Sequence, residues 1–188
     1  MTILDLINKS SIMLNISEVL NAELGDITTE NENEVLANNF ALKRLYEFSK
    51  IVINEINSHS PTVVQVEYEA TNNQIPLSAF ERLSKIISVK NQYGYSKYSQ
   101  VGDCIKVAQN GRYVVEYRQY PEINSILSPI EMDNDIITED ILVYGLNAYY
   151  CLATGLFNEF NVYNEHYTNK LNRLKNLKVF AMPCRSWQ

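Results

Sequence analysis

The feature that most constrains this chain is a change in the period of its apolar residues, made twice. Up to Ile56 they recur at helical spacing, as in Leu45, Phe48, Val52 and Ile56. From Val64 to Tyr117 they alternate with polar residues or gather in short β-branched runs, and from Ile141 the helical spacing returns. Side chains come round every 3.6 residues in a helix and every two in a strand, so each period admits one kind of backbone. The order predicts an α+β fold, mainly helical. N- and C-terminal helices would form a bundle, with an inserted antiparallel β-sheet or hairpin region and an extended C-terminal tail. The corresponding segments are 1–60, 61–121, 122–177 and 178–188.

Within the first segment, Ile3, Leu6, Ile7, Met13 and Leu14 predict one or two short helices over 2–24, with Ser17 capping a second turn through Leu20 and Leu24, and Gly25 as the stop. An acidic loop from Asp26 to Asn33 offers Thr28 or Thr29 ahead of Glu32 as a capping box. Residues 34–58 read as one uninterrupted helix, its stripe running Leu36, Phe40, Leu45, Phe48, Val52, Ile56. Pro61 closes it, because the residue before a proline is steered away from helix.

Four or five strands are expected in the insertion. Val64, Val66 and Tyr68 alternate with Gln65, Glu67 and Glu69; Ile86, Ile87 and Val89 mark a second strand and Tyr95 to Val101 a third. Cys104–Ala108 and Tyr113–Tyr117 flank Asn110-Gly111, a pair suited to a type I′ turn, which predicts that these two runs form one β-hairpin. Tyr120-Pro121 ends the region. A turn-rich return over 122–138 leads to a helix starting at Thr138 or Glu139, broken at Thr154-Gly155. A last helix covers Leu156 to about Leu177, through Phe160, Tyr163, Tyr167, Leu171 and Leu174.

A chain of 188 residues can bury about 70% of its unfolded surface, so it needs no disulfide or metal to hold together. The net charge of −6 speaks against a generic nucleic-acid binder, which needs a basic footprint to displace counterions. The charge is polarised. Six acids and no base lie between Glu18 and Glu34, whereas Lys170, Arg173, Lys175, Lys178 and Arg185 face no acid from Lys170 onward. Such runs usually make a solvated face. They also suit head-to-tail contact between identical copies, with Glu30, Glu32 and Glu34 meeting Lys170, Arg173 and Lys175. The 13 tyrosines suit surfaces that are buried in one state and wet in another.

Chemistry finds little material here. Phosphate-cradling, dinucleotide, zinc-protease and serine-elbow motifs are missing, so no catalytic residue, metal site or cofactor is assigned. Cys104, Cys151 and Cys184 are too scattered for a disulfide framework or a zinc site. Glu165-His166 beside Cys151 or Cys184 would make a nucleophile and base only if the fold joined them. Asp133-Asn134-Asp135 begins like a calcium loop but has Tyr144 at the twelfth position instead of glutamate; acids at a helix N-terminus explain it better. His59 falls in the stop before Pro61. The opening Met1-Thr2-Ile3-Leu4-Asp5-Leu6 has no apolar run suited to a signal peptide and no stretch approaches the ~20 residues of a membrane span, so the expectation is assembly in the cytoplasm. Met182, Pro183, Arg185 and Trp187 remain beyond the last helix. Trp and Arg are the residues most enriched at binding hot spots, which weighs a docking strap against a tail that fills a gap in its own helices.

Tyr117-Arg118-Gln119-Tyr120-Pro121-Glu122-Ile123 leads into the acidic return Glu131–Asp140. Ile141-Leu142-Val143-Tyr144-Gly145-Leu146-Asn147-Ala148-Tyr149-Tyr150, Gly155 and Phe157-Asn158-Glu159-Phe160 follow, then Tyr163–Tyr167 and Met182-Pro183-Cys184-Arg185-Ser186-Trp187. In this order and spacing the chain resembles head–tail connector (adaptor) proteins of tailed bacteriophages, in which a strand ending in Tyr-x-x-Pro precedes two C-terminal helices and an Arg-x-Trp tail. The opening Ile3–Asn8 and the long helix before Pro61 fit as well, so the resemblance covers most of the chain.

The resemblance implies a structural virion protein at the head–tail interface, assembled in the bacterial host cytoplasm. Copies would form a homo-oligomeric ring, commonly of twelve, docked beneath the portal protein, with genome DNA passing through the lumen without specific binding. Met182 to Trp187 would dock on the portal or a neighbour, and the strand region would face the next neck or tail component. A stopper or tail-completion protein of the neck is the nearest alternative. A small cytosolic regulatory or binding protein, acting as monomer or dimer, is the rival from another class, and a thiol hydrolase comes third.

Overall fold

The computed structural model describes residues 1–16, 27–131 and 137–179, the last five by backbone alone. The fold is mixed α+β, with five helices among the described residues and two antiparallel sheets. The chain separates into two compact units: 1–60 together with 122–188, and Pro61–Pro121.

In the first unit, α1 (Ile3–Met13) opens with a capping box: the Thr2 hydroxyl accepts from the Asp5 N–H, and the Asp5 carboxylate accepts from the Thr2 N–H. The Ile3 and Leu4 N–H groups, which lack helical acceptors, donate to the Ser128 and Ile126 carbonyls at 3.1 and 2.8 Å. The N-terminus is thereby stitched to the return segment. The second turn expected from Ser17 to Gly25 lies outside the described residues.

The single helix expected over 34–58 is two helices, α2 (Glu32–Asn38) and α3 (Phe40–His59). Asn39 leaves the helical region (φ −110°, ψ 101°), and its side chain accepts from the Leu42 N–H at 2.9 Å. An asparagine can cap as readily as it can continue, because its amide competes for backbone partners. Phe40, expected on the inner stripe, is accordingly exposed with Arg44 over its ring at 4.2 Å. No Thr28 or Thr29 capping box forms. Asn31 is the N-cap, its Oδ1 accepts from the Thr28 N–H, and Glu32 is engaged elsewhere.

After the return, α4 (Glu139–Thr154) ends at Gly155, whose left-handed φ of 78° closes the helix as glycine allows, and α5 (Phe157–Val179) follows. Ile3, Leu6 and Ile7 of α1 share one core with Leu42, Leu45, Val52, Ile53 and Ile56 of α3. Leu142 and Leu146 of α4, Tyr167, Leu171 and Leu174 of α5, and Ile126 complete it. Val143, Ala148 and Cys151 of α4 are buried, whereas Leu152 and Ala153 near its end are exposed.

The second unit holds seven strands: β1 (Thr62–Ala70), β2 (Gln74–Pro76), β3 (Leu83–Asn91), β4 (Gly94–Tyr95), β5 (Tyr98–Val101), β6 (Cys104–Val107) and β7 (Gly111–Gln119). One sheet has the order β1-β7-β3-β4 and the other β2-β6-β5. This overturns the Asn110-Gly111 hairpin. β6 pairs with β2 and β5, and β7 with β1 and β3, so the turn carries the chain from one sheet to the other. Asn110 instead accepts from the Asn73 N–H at 2.7 Å. The turn with positive φ at both central residues is Asn72-Asn73 (55° and 58°), closed by the Gln74 N–H on the Thr71 carbonyl at 3.0 Å. The third strand expected over 95–101 is likewise divided, β4 in one sheet and β5 in the other. Tyr113, Val115 and Tyr117 of β7 meet Ile75, Phe80, Val89, Ile105 and Val107 in the core between the sheets.

Candidate functional site

Three helices of the first unit build its most distinctive site. Tyr167 of α5 lies against Gly145 of α4; a Cβ on Gly145 would sit 2.7 Å from Tyr167 Cε2 and 2.9 Å from Val52 Cγ1 of α3. That close approach sets the ring so that its hydroxyl donates to Glu55 Oε2 at 2.8 Å. The Tyr149 hydroxyl of α4 donates to the same oxygen at 3.2 Å. Glu55 Oε1 accepts from no described group, and no Lys, Arg or His among the described residues pairs with this carboxylate.

Burial raises the Tyr167 hydroxyl far above its ordinary range, and the hydrogen bond to Glu55 and the carboxylate's charge add to the shift. Burial, then the Glu55 charge, also raises Tyr149. Both phenols therefore stay protonated, as donors, across the physiological range. The carboxylate opens into a cavity of about 340 Å³ walled by Tyr149, Phe160, Tyr167, Leu152 and Leu171. An anionic floor, donating phenols and aromatic walls are chemically suited to a cationic group with apolar flanks.

In the second unit, Tyr93, Tyr95 and Tyr98 fall within six residues. The first two are about four-fifths exposed, at 81% and 80%. Lys90 Nζ lies 4.9 Å from the Tyr95 centroid and 3.4 Å from Glu116. The segment Asn91–Ser99 is built of Tyr, Ser, Gly, Asn, Gln and Lys, residues that give large rigid contact area and adaptable hydrogen bonding.

Of the charges expected to join copies, Glu30, Glu34 and Arg173 are exposed. Glu32 is not available for that contact. It is buried, accepting from the Ser125 hydroxyl at 2.5 Å and the Ile126 N–H at 2.7 Å, where it holds the return segment inside its own unit. Lys170 is half-buried, with Asp140 3.5 Å from its Nζ and the Tyr144 ring beneath it. Lys175 is described by its backbone, and Met182, Pro183, Arg185 and Trp187 lie outside the described residues.

Cys151 is fully buried, and burial together with the Glu159 charge raises its thiol, the reverse of what a thiolate nucleophile needs. His166 stacks on Tyr144 at 5.0 Å. No group of three His, Cys, Asp or Glu side chains suited to a metal occurs among the described residues, and Asp133–Asp135 lie outside them. No helix among the described residues is long and apolar enough to cross a membrane.

Sequence reasoning missed the Glu55 site because Tyr149 and Tyr167 stand 94 and 112 positions from Glu55. The one local signal is Gly145, a glycine inside a helical pattern, which marks close packing. No protein-family model matches the chain, and no curated protein sequence matches it.

Proposed function

We propose that this chain is a head–tail connector subunit of a tailed bacteriophage, non-enzymatic, forming a ring beneath the portal that joins capsid to tail and lets DNA pass. The order of residues from Tyr117 to Trp187 carries the reading: a strand run closed by Tyr120-Pro121, an acidic return, two helices divided at Gly155, and the Arg185-Ser186-Trp187 tail. In this reading the helices act as the bundle of the ring wall, and the strand unit meets the next neck component.

Two further observations support it. Segments 1–60 and 122–188 hold seventeen acids against nine Lys and Arg, whereas 61–121 hold five against seven. An acidic wall lets DNA slide without being gripped, since gripping needs Lys and Arg on the phosphates. The exposed Tyr93, Tyr95 and Tyr98 supply contact area of the kind that protein interfaces use.

The test is cryo-electron microscopy of the protein mixed with the portal complex of its own phage. A closed ring of added density beneath the portal is expected. Deleting residues 181–188 should abolish portal binding. No added density at saturating protein would overturn the connector reading, and portal binding unchanged by the deletion would overturn the docking role of Met182, Pro183, Arg185 and Trp187.

A further inference from the structure

The Glu55 cavity presents a carboxylate that no cation among the described residues pairs with. Its carboxylate has one oxygen taken by two phenols and the other accepting from no described group, although a carboxylate offers about four lone-pair sites. A partly buried carboxylate that lacks a counter-charge is costly, and a planar guanidinium is the group best suited to relieve it. It pairs bidentately with a carboxylate and stacks on aromatic rings, and Tyr149, Phe160 and Tyr167 line this cavity. The volume, about 340 Å³, falls in the range of small-ligand sites, roughly 300–1,000 Å³. Leu152, 46% exposed at the rim, leaves apolar area for a neighbouring hydrophobic side chain.

The chain carries such a group within reach. From Lys170 onward it has five bases and no acid, and Arg185 lies two residues from Trp187, its one tryptophan. α5 passes the cavity from Phe160 to Asn172 and is described as far as Val179. Seven helical residues place Val179 about 10 Å beyond Asn172. The six residues from Val179 to Arg185 span up to ~20 Å when extended, enough to return. Tethering also gives the segment a local concentration of roughly millimolar order, so a weak site fills.

We propose that the cavity formed by Glu55, Tyr149 and Tyr167 receives the chain's own segment Arg185–Trp187, with the Arg185 guanidinium on the Glu55 carboxylate and Trp187 on the apolar rim. The proposal concerns the free subunit and its test uses no portal; docking of the same residues on a portal would require that they first leave the cavity.

Because Trp187 is the single tryptophan, its fluorescence reports this contact in the full-length protein. The expected result is blue-shifted emission protected from acrylamide quenching, unchanged across a hundredfold dilution. Glu55→Gln and Arg185→Gln should each shift the emission to the red and remove the protection, and the double variant should add nothing further. Arg185→Gln leaves every residue of the described core unchanged, so it tests the contact even if Glu55→Gln unfolds, which circular dichroism would reveal. Solvent-like quenching of the parent protein, or protection retained in Arg185→Gln, would overturn the proposal. Protection lost on dilution would also overturn it, assigning the cavity to a second copy.

Discussion

Gly145→Ala tests the packing that builds the candidate site. The added Cβ would fall 2.7 Å from Tyr167 Cε2 and 2.9 Å from Val52 Cγ1, both well inside van der Waals contact. Neither neighbour can withdraw cheaply. Val52 is fully buried in α3, and the Tyr167 ring is held at its far end by the 2.8 Å hydrogen bond to Glu55. Overpacking of this kind costs about 1–3 kcal/mol. Displacing the ring also loses a hydrogen bond to a charged acceptor, about 1.5–3 kcal/mol. Alanine returns about 1 kcal/mol, because it favours helix over glycine in a helix interior. The net expectation is a loss of roughly 2–4 kcal/mol. With a urea slope near 2 kcal/mol/M, the unfolding midpoint followed by far-ultraviolet circular dichroism should fall by roughly 1–2 M. In a Tyr167→Phe background the penalty should shrink, since the ring is no longer tethered and can pivot. A Gly145→Ala protein that unfolds at the same urea concentration as the parent, or a higher one, would refute the close-packing argument.

Glu32→Ala should cost about 2–3 kcal/mol, since it strands the Ser125 hydroxyl and the buried Ile126 N–H without their acceptor; urea unfolding measures it. Asn147 is fully buried and its amide meets no partner among the described residues. Asn147→Leu, which keeps the same branched heavy-atom skeleton without the polar atoms, should therefore raise stability by about 1–2 kcal/mol, read as a higher melting temperature. The Ser88 hydroxyl, then Lys90, hold the Glu116 carboxyl below its ordinary value of 4.5. A lowered native value means that the stability it contributes is complete above about pH 4.5 and fades as pH falls through the native value. Ser88→Ala should flatten that part of the acid-unfolding curve, and an unchanged curve would refute the assignment. Asn73→Val should destabilise the second unit by about 1–2 kcal/mol, because a β-branched residue resists the φ of 58° that Asn73 adopts.

Some of this protein is written locally. The α+β class, the capped start of α1 near Thr2 and the left-handed stop at Gly155 follow from the residues themselves. Period, cap chemistry and glycine's conformational freedom act over a few positions. Pro61 and Tyr120-Pro121 likewise end a helix and a strand through the missing N–H and fixed φ of proline.

Partnership was settled elsewhere. Asn110-Gly111 looks like the hairpin turn, yet β6 and β7 find better partners in different sheets, and Asn72-Asn73 takes the tight turn instead. Asn39 divides a run whose apolar stripe looks continuous, because its extended backbone and its cap on the Leu42 N–H start a new helix. Glu32 reads as part of an acidic surface and becomes an internal clasp once the return segment reaches it. Glu55, Tyr149 and Tyr167 carry no shared motif, since what joins them is the packing of α4 and α5 on α3, which brings the two tyrosines to a carboxylate 94 and 112 positions away. Local spacing determines which backbone a segment can adopt. Which carboxylate meets which hydroxyl is decided by packing between segments, where burial and satisfied hydrogen bonds outweigh the preferences of any single turn.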